Sequence, residues 1–382
     1  MIDGLVLALI SPAVLTVQDQ PESNPSAPVP IVTRSAPRAT TARAGFSISW
    51  KASEITCDSG VTFGADAIPT RIPSRATREP STQPRIIYTF KLGSQGRALS
   101  IAPEGRSRRP RNGLDLAPAL AAARLAPQPE PTACAVTFTQ TAVPYNEAPL
   151  ADLVALRIHD RRARIPNEAW DRFADGSCHS PVHSAATRAL EWHTPDYRKL
   201  PKRPGANHWT FQTYDIDKAG VPRNLITVES SGSDALNKAG RKAALASRFV
   251  DEDPREGCWR YHWMAPDVIA APDLPDMSDY GAMPEACEAE DKWATAPTLT
   301  YPKMYERRGV EGWVVLKYDV APWGEIGGVE VLDAQPALDL AEFAKPVLTS
   351  ARYKPLENGL SGCIERVQFA LPEKAKSRGL DD

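Results

Sequence analysis

From Trp313 to Val320 the side chains fall into two alternating sets. Val314, Leu316, Tyr318 and Val320 lie on one side of an extended chain, and Trp313, Val315, Lys317 and Asp319 on the other. A period of two predicts a β-strand with one buried face. Ala321 to Gly324 contains a proline and a glycine, residue types that turn a chain. Val329 and Val331 begin a second strand, so a hairpin is expected. The period then changes: Leu340, Phe343, Val347, Leu348 and Ala351 share one face of a helix, with Asp339 as its expected N-cap. Pro346 lies inside this stretch and predicts either a helix that starts near it or a kink. A last strand runs from Cys363 to Leu371, with Cys363, Val367, Phe369 and Leu371 on one face. The order is β-β-α-β, a small α+β unit with one helix packed on an antiparallel sheet.

The same pattern recurs three times, a signal to be sought before any fold is assigned. Turn glycines Gly96, Gly220 and Gly324 are each followed 28 residues on by an arginine: Arg124, Arg248 and Arg352. A cysteine follows after 10 or 11 more: Cys134, Cys258 and Cys363. Six before each glycine is an aromatic residue (Phe90, Tyr214, Tyr318), four before it an aliphatic one (Leu92, Ile216, Val320), and five after it another (Ile101, Leu225, Val329). The expected architecture is therefore α+β, with three tandem small β-β-α-β domains. Their expected bounds are 46–145 and 150–268, both divergent, and 280–375, the clearest. Ahead of them a Pro/Ser/Ala-rich linker is expected over 21–45 and a signal peptide or short anchor over 1–20.

The other three cysteines are Cys57, Cys178 and Cys287. Six cysteines allow 15 connectivities. Only Cys57–Cys134, Cys178–Cys258 and Cys287–Cys363 give every copy its own loop of similar length; six buried free thiols are the alternative. Disulfides persist in oxidising compartments, which points to the periplasm or the cell exterior. Leu5 to Val17 has the length of a signal-peptide apolar region and falls short of the ~20 residues of a spanning helix. No Lys or Arg precedes it and Asp3 has the wrong sign, so a buried strand or helix start competes with export. Membrane association is expected only through residues 1–20, as an inner-membrane anchor if that segment is retained.

Composition changes this picture little. The chain is 42 % hydrophobic and 24 % charged, as soluble globular proteins are. A net charge of −2 supplies no basic field for nucleic acid. The 36 prolines are roughly twice the usual ~5 % share, many of them in linkers. Arg106, Arg108, Arg109 and Arg111 are expected in a solvated loop. There is no GxxxxGK loop and no CxxC pair. Cys178, His179 and His183 have metal-like spacing, but Pro181 interrupts them and the repeat takes Cys178 for a disulfide. Ser230, Ser231 and Ser233 near Asp234 read as helix capping rather than as a nucleophile. Trp259 and Trp263 share a strand face and read as core or interface residues. No catalytic residue, cofactor or metal ligand is expected, and the chain does not read as an enzyme.

The third copy resembles a known family. Tyr301-Pro302, Gly309-Val310-Glu311-Gly312, the strand with Tyr318, then Gly324, Val329, Asp339, Ala341, Arg352-Tyr353-Lys354-Pro355, Val367, Phe369 and Leu371 follow in order the pattern of the TonB C-terminal domain. The resemblance covers about Thr298 to Glu373; the other copies match only through this one. It implies a periplasmic protein of a Gram-negative envelope that serves outer-membrane transporters. The family's domain grips an extended peptide of the transporter as an added strand, with backbone hydrogen bonds for affinity and alternate side chains for selection. The edge this implies is the last strand, Ile364 to Leu371, or residues just after it, with Ile364, Arg366, Gln368 and Ala370 as the expected peptide-binding positions. The expected partner is an outer-membrane TonB-dependent transporter; a non-energised adaptor bound to another envelope protein is the alternative. Triplication, a disulfide per copy and a short apolar segment without histidine differ from the simplest family members.

Overall fold

The computed structural model describes residues 45–69, 73–80, 84–105, 115–160, 164–174, 176–179, 189–250 and 254–371. The expected export segment 1–20, the linker up to residue 44, the arginine cluster at 106–111, Pro181 and His183 lie outside the described residues. All that follows belongs to one compact unit, 42–382.

Four short strands come first: β1 (Phe46–Ala52), β2 (Ile55–Cys57), β3 (Thr62–Phe63) and β4 (Ser74–Ala76). A hairpin of β5 (Arg85–Leu92) and β6 (Ala98–Pro103), helix α1 (Leu116–Ala121) and long strand β7 (Thr132–Pro144) follow. Along β5, Ile86, Tyr88, Phe90 and Leu92 are buried and the residues between them exposed. That single apolar face receives α1, which is buried throughout. Pro118 is the third residue of α1, within the first turn, where its missing N–H removes no intrahelical bond.

Helices α2 (Leu150–His159) and α3 (Asn167–Asp171) lead to β8 (Ala189–Glu191), the hairpin β9 (His208–Ile216) and β10 (Pro222–Ser230), helix α4 (Asp234–Ala246), β11 (Arg248–Phe249) and β12 (Arg255–Met264). The last part holds β13 (Trp293–Thr295), α5 (Lys303–Arg308), the hairpin β14 (Gly312–Val320) and β15 (Ile326–Gln335), α6 (Ala341–Thr349), β16 (Arg352–Tyr353) and β17 (Leu360–Phe369). The fold is mixed α+β with several antiparallel sheets. In three of its sheets the first hairpin strand lies between its hairpin mate and the late strand: β6-β5-β7, β10-β9-β12 and β15-β14-β17. The first sheet extends further, because β7 also pairs with β1 and β2.

The constant spacing from turn glycine to arginine has a physical cause. Gly96, Gly220 and Gly324 all have positive φ. A Cβ at each would lie 2.1, 2.0 and 2.1 Å from the carbonyl oxygens of Leu125, Phe249 and Tyr353. Those three residues donate their N–H to the carbonyls of the same glycines, at 3.0, 3.0 and 2.9 Å. The hairpin turn therefore docks on the residue after the arginine, and the intervening length is held. Arg124 and Arg248 each donate to the three consecutive carbonyls that precede them, where the helix before them ends (121–123 and 245–247), a place where a helix leaves carbonyls without internal partners. Arg352 instead pairs with Glu325 at 3.4 Å.

The three disulfides are Cys57–Cys134, Cys178–Cys258 and Cys287–Cys363, closing separations of 77, 80 and 76 residues. Ser233 caps α4 by accepting the Leu236 N–H. Asp339 does not cap α6. It lies in a 3-10 turn (Leu338–Leu340), buried, and accepts the Tyr305 hydroxyl. Pro346 sits inside α6, which runs through it. The alternation in β14 is also overridden: Trp313 and Val315, expected on an open face, are 3 % and 0 % exposed. They lie with Ile364 against Ala271, Met277, Tyr280 and Met283, and the Trp313 indole N–H donates to Pro272 O.

Each of the three sheets with its helix forms a module of the one compact unit, and the modules of β5 and β14, the first and third, share a core. Phe90, Leu116, Leu120 and Phe138 belong to one buried cluster with Tyr305, Val314, Leu316 and Leu348. Across it Arg308, 0 % exposed, donates to both oxygens of Asp115 at 2.7 and 2.5 Å and to Gly205 O at 3.2 Å. In the second module Trp259 stacks on the buried Trp170 and Phe211 at the back of the sheet, and Trp259 and Trp263, both half-buried, pack against that cluster. The face toward α4 is polar, with Thr210, Gln212, Arg260 and His262 buried.

Candidate functional site

Strand β17 is held in place at several points. Its ladder with β14 runs from Phe369 opposite Gly312 to Leu360 opposite Val320. At one end Asp319 accepts the Ser361 hydroxyl at 2.7 Å and the Gly362 N–H at 2.9 Å, bonds that hold its carboxyl below the usual range. Cys363 is tied to Cys287. Beside it Lys292, whose side chain is 12 % exposed, pairs with Glu365 at 2.8 Å and donates to Cys287 O at 2.6 Å. Tyr318 and Tyr353 share a hydrogen bond of 2.7 Å beneath the sheet; burial first, then this bond, pushes the Tyr318 hydroxyl pKa upward. At the other end the Leu371 N–H donates to Glu311 Oε1 at 2.9 Å.

Between these anchors β17 pairs on one side only, with β14, among the described residues. Its other side is an open edge, with backbone donors and acceptors available to another strand. Of the residues expected at this edge, Ile364 is 4 % exposed and faces the layer behind the sheet. Arg366 is half-buried and donates to Pro275 O at 3.4 Å. Gln368 and Ala370 are exposed.

Two grooves flank the edge. On the α6 side, Leu299, Val347, Leu348 and Val367 line a largely apolar groove of about 160 Å³ along Glu365 to Gln368. On the other side Met277, Met283, Glu288, Lys292 and Arg366 line one of about 260 Å³. Neither groove was read from the sequence. Leu299 stands outside any periodic stretch, and Lys292 carries no motif; the one signal that could have led there is the nearness of Lys292 to Cys287 in the chain.

Other candidates recede. Cys178 is in its disulfide, and no group of three or more His, Cys, Asp or Glu residues among the described ones is placed to hold a metal ion. Ser231 accepts the Trp209 N–H at 2.9 Å, a structural role. Among the described residues no helix is long and apolar enough to cross a membrane.

The outer edge of β7 is occupied, in contrast to that of β17. Phe46 to Ala52 of β1 lie antiparallel opposite Pro144 to Phe138, and Thr56 and Cys57 of β2 opposite Ala135 and Cys134. The Ser53 N–H bridges the two strands by donating to Thr137 O at 2.7 Å.

No curated protein matches the chain. Residues 297–380, a single stretch that contains α5, β14, β15, α6 and β17, match the family model of the Gram-negative bacterial TonB protein C-terminal domain.

Proposed function

We propose that this protein is a periplasmic TonB-like protein that binds extended peptide segments of outer-membrane transporters by strand addition on the outer edge of β17, serving TonB-dependent transport. The observation that carries the reading is a coincidence of place: the TonB C-terminal match, 297–380, takes in β17, a strand whose outer edge is unpaired among the described residues. An added strand supplies one backbone hydrogen-bonding group for each one the edge leaves open, so affinity is spread along the chain and is tolerant of sequence. Arg366, Gln368 and Ala370 line that edge, with Ile364 fixing the strand from behind. The common sheet order, the docked turn glycine and the matching disulfides support reading the three modules as copies of one domain, of which the third carries binding.

The test uses synthetic transporter N-terminal segments, N-methylated at every second residue in the two alternate registers. A strand uses only alternate N–H groups toward its neighbour, so one register should abolish binding and the other leave it. Equal binding by both registers removes strand addition.

A second reading is favoured by the core shared between the first and third modules, which makes the binding module part of a larger body. In it the same edge serves a non-energised periplasmic adaptor for another envelope component. Cell fractionation separates the two: a soluble protein cut near residue 20 is expected of the adaptor, an uncut membrane-bound one of a transducer.

A further inference from the structure

The first sheet shows what this kind of edge accepts. The strand that closes β7 places Trp50, Ile55 and Cys57 into the same core as Val136 and Phe138 of β7, which is the face α1 covers. Cα partners in an antiparallel ladder share a face; Trp50 lies opposite Gln140 and Ala52 opposite Phe138. The occupant's helix-side residues are thus apolar or small, and large side chains fill the space between the sheet edge and its surroundings. Ser47, Ser49 and Lys51 take the other side.

On β17 the matching face carries Glu365, Val367 and Phe369, counted from Cys363 as Val136, Phe138 and Gln140 are counted from Cys134. The space beside it is the groove under Leu299, Val347 and Leu348. Its volume of about 160 Å³ is close to that of an apolar cavity of roughly 150 Å³ that holds a benzene ring. Leu299 is 40 % exposed, a large apolar side chain with one side uncovered.

We infer that this groove is the specificity pocket of the β17 edge, and that it takes one large apolar side chain of an extended peptide whose neighbouring residues are small or polar. The inference rests on the strand-addition reading. It adds that backbone pairing alone does not select the partner, and that Leu299 and Val347 set the selection from outside the strand.

The experiment uses the full oxidised chain, in which the Cys57–Cys134 bond keeps β7 occupied. The probe is a fluorescent peptide with the sequence of residues 45–53, compared with the same peptide carrying serine in place of its tryptophan. A photo-crosslinking version of each is mapped by mass spectrometry. Expected results are crosslinks to residues 299 and 365–369, and roughly tenfold or greater weakening by the serine peptide, the scale of one lost apolar side chain. Leu299→Asp, at an exposed position and with its fold checked by circular dichroism, should weaken the tryptophan peptide similarly and leave the serine peptide unchanged. If both peptides crosslink to 365–369 with equal affinity and Leu299→Asp changes neither, strand addition stands and the pocket is refuted. Crosslinks on β7 or elsewhere, or no saturable binding by either peptide, overturn both.

Discussion

Removing Arg308 tests how the molecule is joined. Its guanidinium is 0 % exposed, and the Asp115 side chain that it grips in bidentate fashion is 6 % exposed. Asp115 stands at the N-terminus of α1, in the first module, and Arg308 at the end of α5, in the third. A buried ion pair is not in itself strong evidence of stability, since desolvation of both ions offsets their attraction. Removing one member is different, because it strands the other charge away from water. Arg308→Met keeps much of the side-chain volume and leaves Asp115 without its main counter-charge; the expected loss is about 3–5 kcal/mol. Asp115→Leu alone should cost a similar amount. The double variant should recover most of it, because two apolar side chains of comparable size leave no stranded charge.

The assay is urea unfolding followed by tryptophan fluorescence and circular dichroism. With a slope of about 3 kcal/mol/M, a loss of ~4 kcal/mol moves the midpoint of either single variant down by about 1.3 M. The double variant should lie well above the sum of the singles, a coupling of roughly 3 kcal/mol or more. Single losses under about 1 kcal/mol, or strict additivity, would refute the reasoning. A loss of cooperativity in the single variants, with the second module unfolding apart, would show further that this pair couples the modules.

Three further expectations follow from the geometry. Burial holds both His159 and His262 at a pKa of about 3, with Arg307 and Arg308 near the first and Arg260 near the second adding to the effect. The unfolded chain binds protons below ~6.5 and the native state does not, so stability is full above that pH and falls as pH drops toward 3. At pH 5.5 the loss is about 1.4 kcal/mol for each of these two histidines; burial also lowers His208, so His262→Gln should remove part of the slope between pH 7 and 5.5 in urea titrations, roughly 1.4 kcal/mol of the loss at pH 5.5, and an unchanged slope would exclude His262 as a source. Alkylation followed by intact mass should add six groups only after reduction, and Cys287→Ala/Cys363→Ala should lower stability by ~4 kcal/mol in the chain-entropy account; six groups added without reduction would dismiss the disulfides. Gly324→Ala puts a methyl group 2.1 Å from Tyr353 O at a φ of +86°, so a loss of roughly 2–3 kcal/mol is expected by thermal melting, whereas Gly327→Ala, with open space around it, should cost far less.

The sequence was most legible where one segment answers to its near neighbours. Alternation in the second half of β14 predicted a strand because one face meets a helix and the other meets water. The spacing from Gly96, Gly220 and Gly324 to the arginines was legible because each turn is bonded to the residue that follows its arginine. The pairing of the cysteines followed from similar loop lengths. What escaped was long-range and aperiodic. Nothing in the pattern ties Arg308 to Asp115, 193 residues apart, and Asp339 reads as a cap until Tyr305 is brought to it by the fold. Trp313 and Val315 belong to a strand read with one buried face, and only the chain from Ala271 to Met283 lying behind it makes the second face dry.

The contrast between the two edges also has a cause that can be read in residues. Both β7 and β17 are tied near one end to a cysteine that precedes the hairpin, so the tether does not decide whether the edge is open. What decides it is the chain just before that cysteine. Phe46 to Ala52 alternates apolar, small and polar side chains, contains no proline, and can donate an N–H at every residue, so it forms a ladder along β7. The stretch before Cys287 contains Pro272, Pro275, Pro284 and Gly281. Proline has no N–H to offer a ladder and breaks the run of extended residues, so this stretch crosses behind the sheet, burying Trp313 and Val315, and then turns through a 3-10 helix into Cys287. Beyond the cysteine the chain is drawn away again, because Trp293 pairs with Tyr353 of β16 and packs on its ring at 4.8 Å. An edge left open in this way invites unwanted pairing. The sequence before each cysteine thus turns one edge into framework and leaves the other unpaired among the described residues.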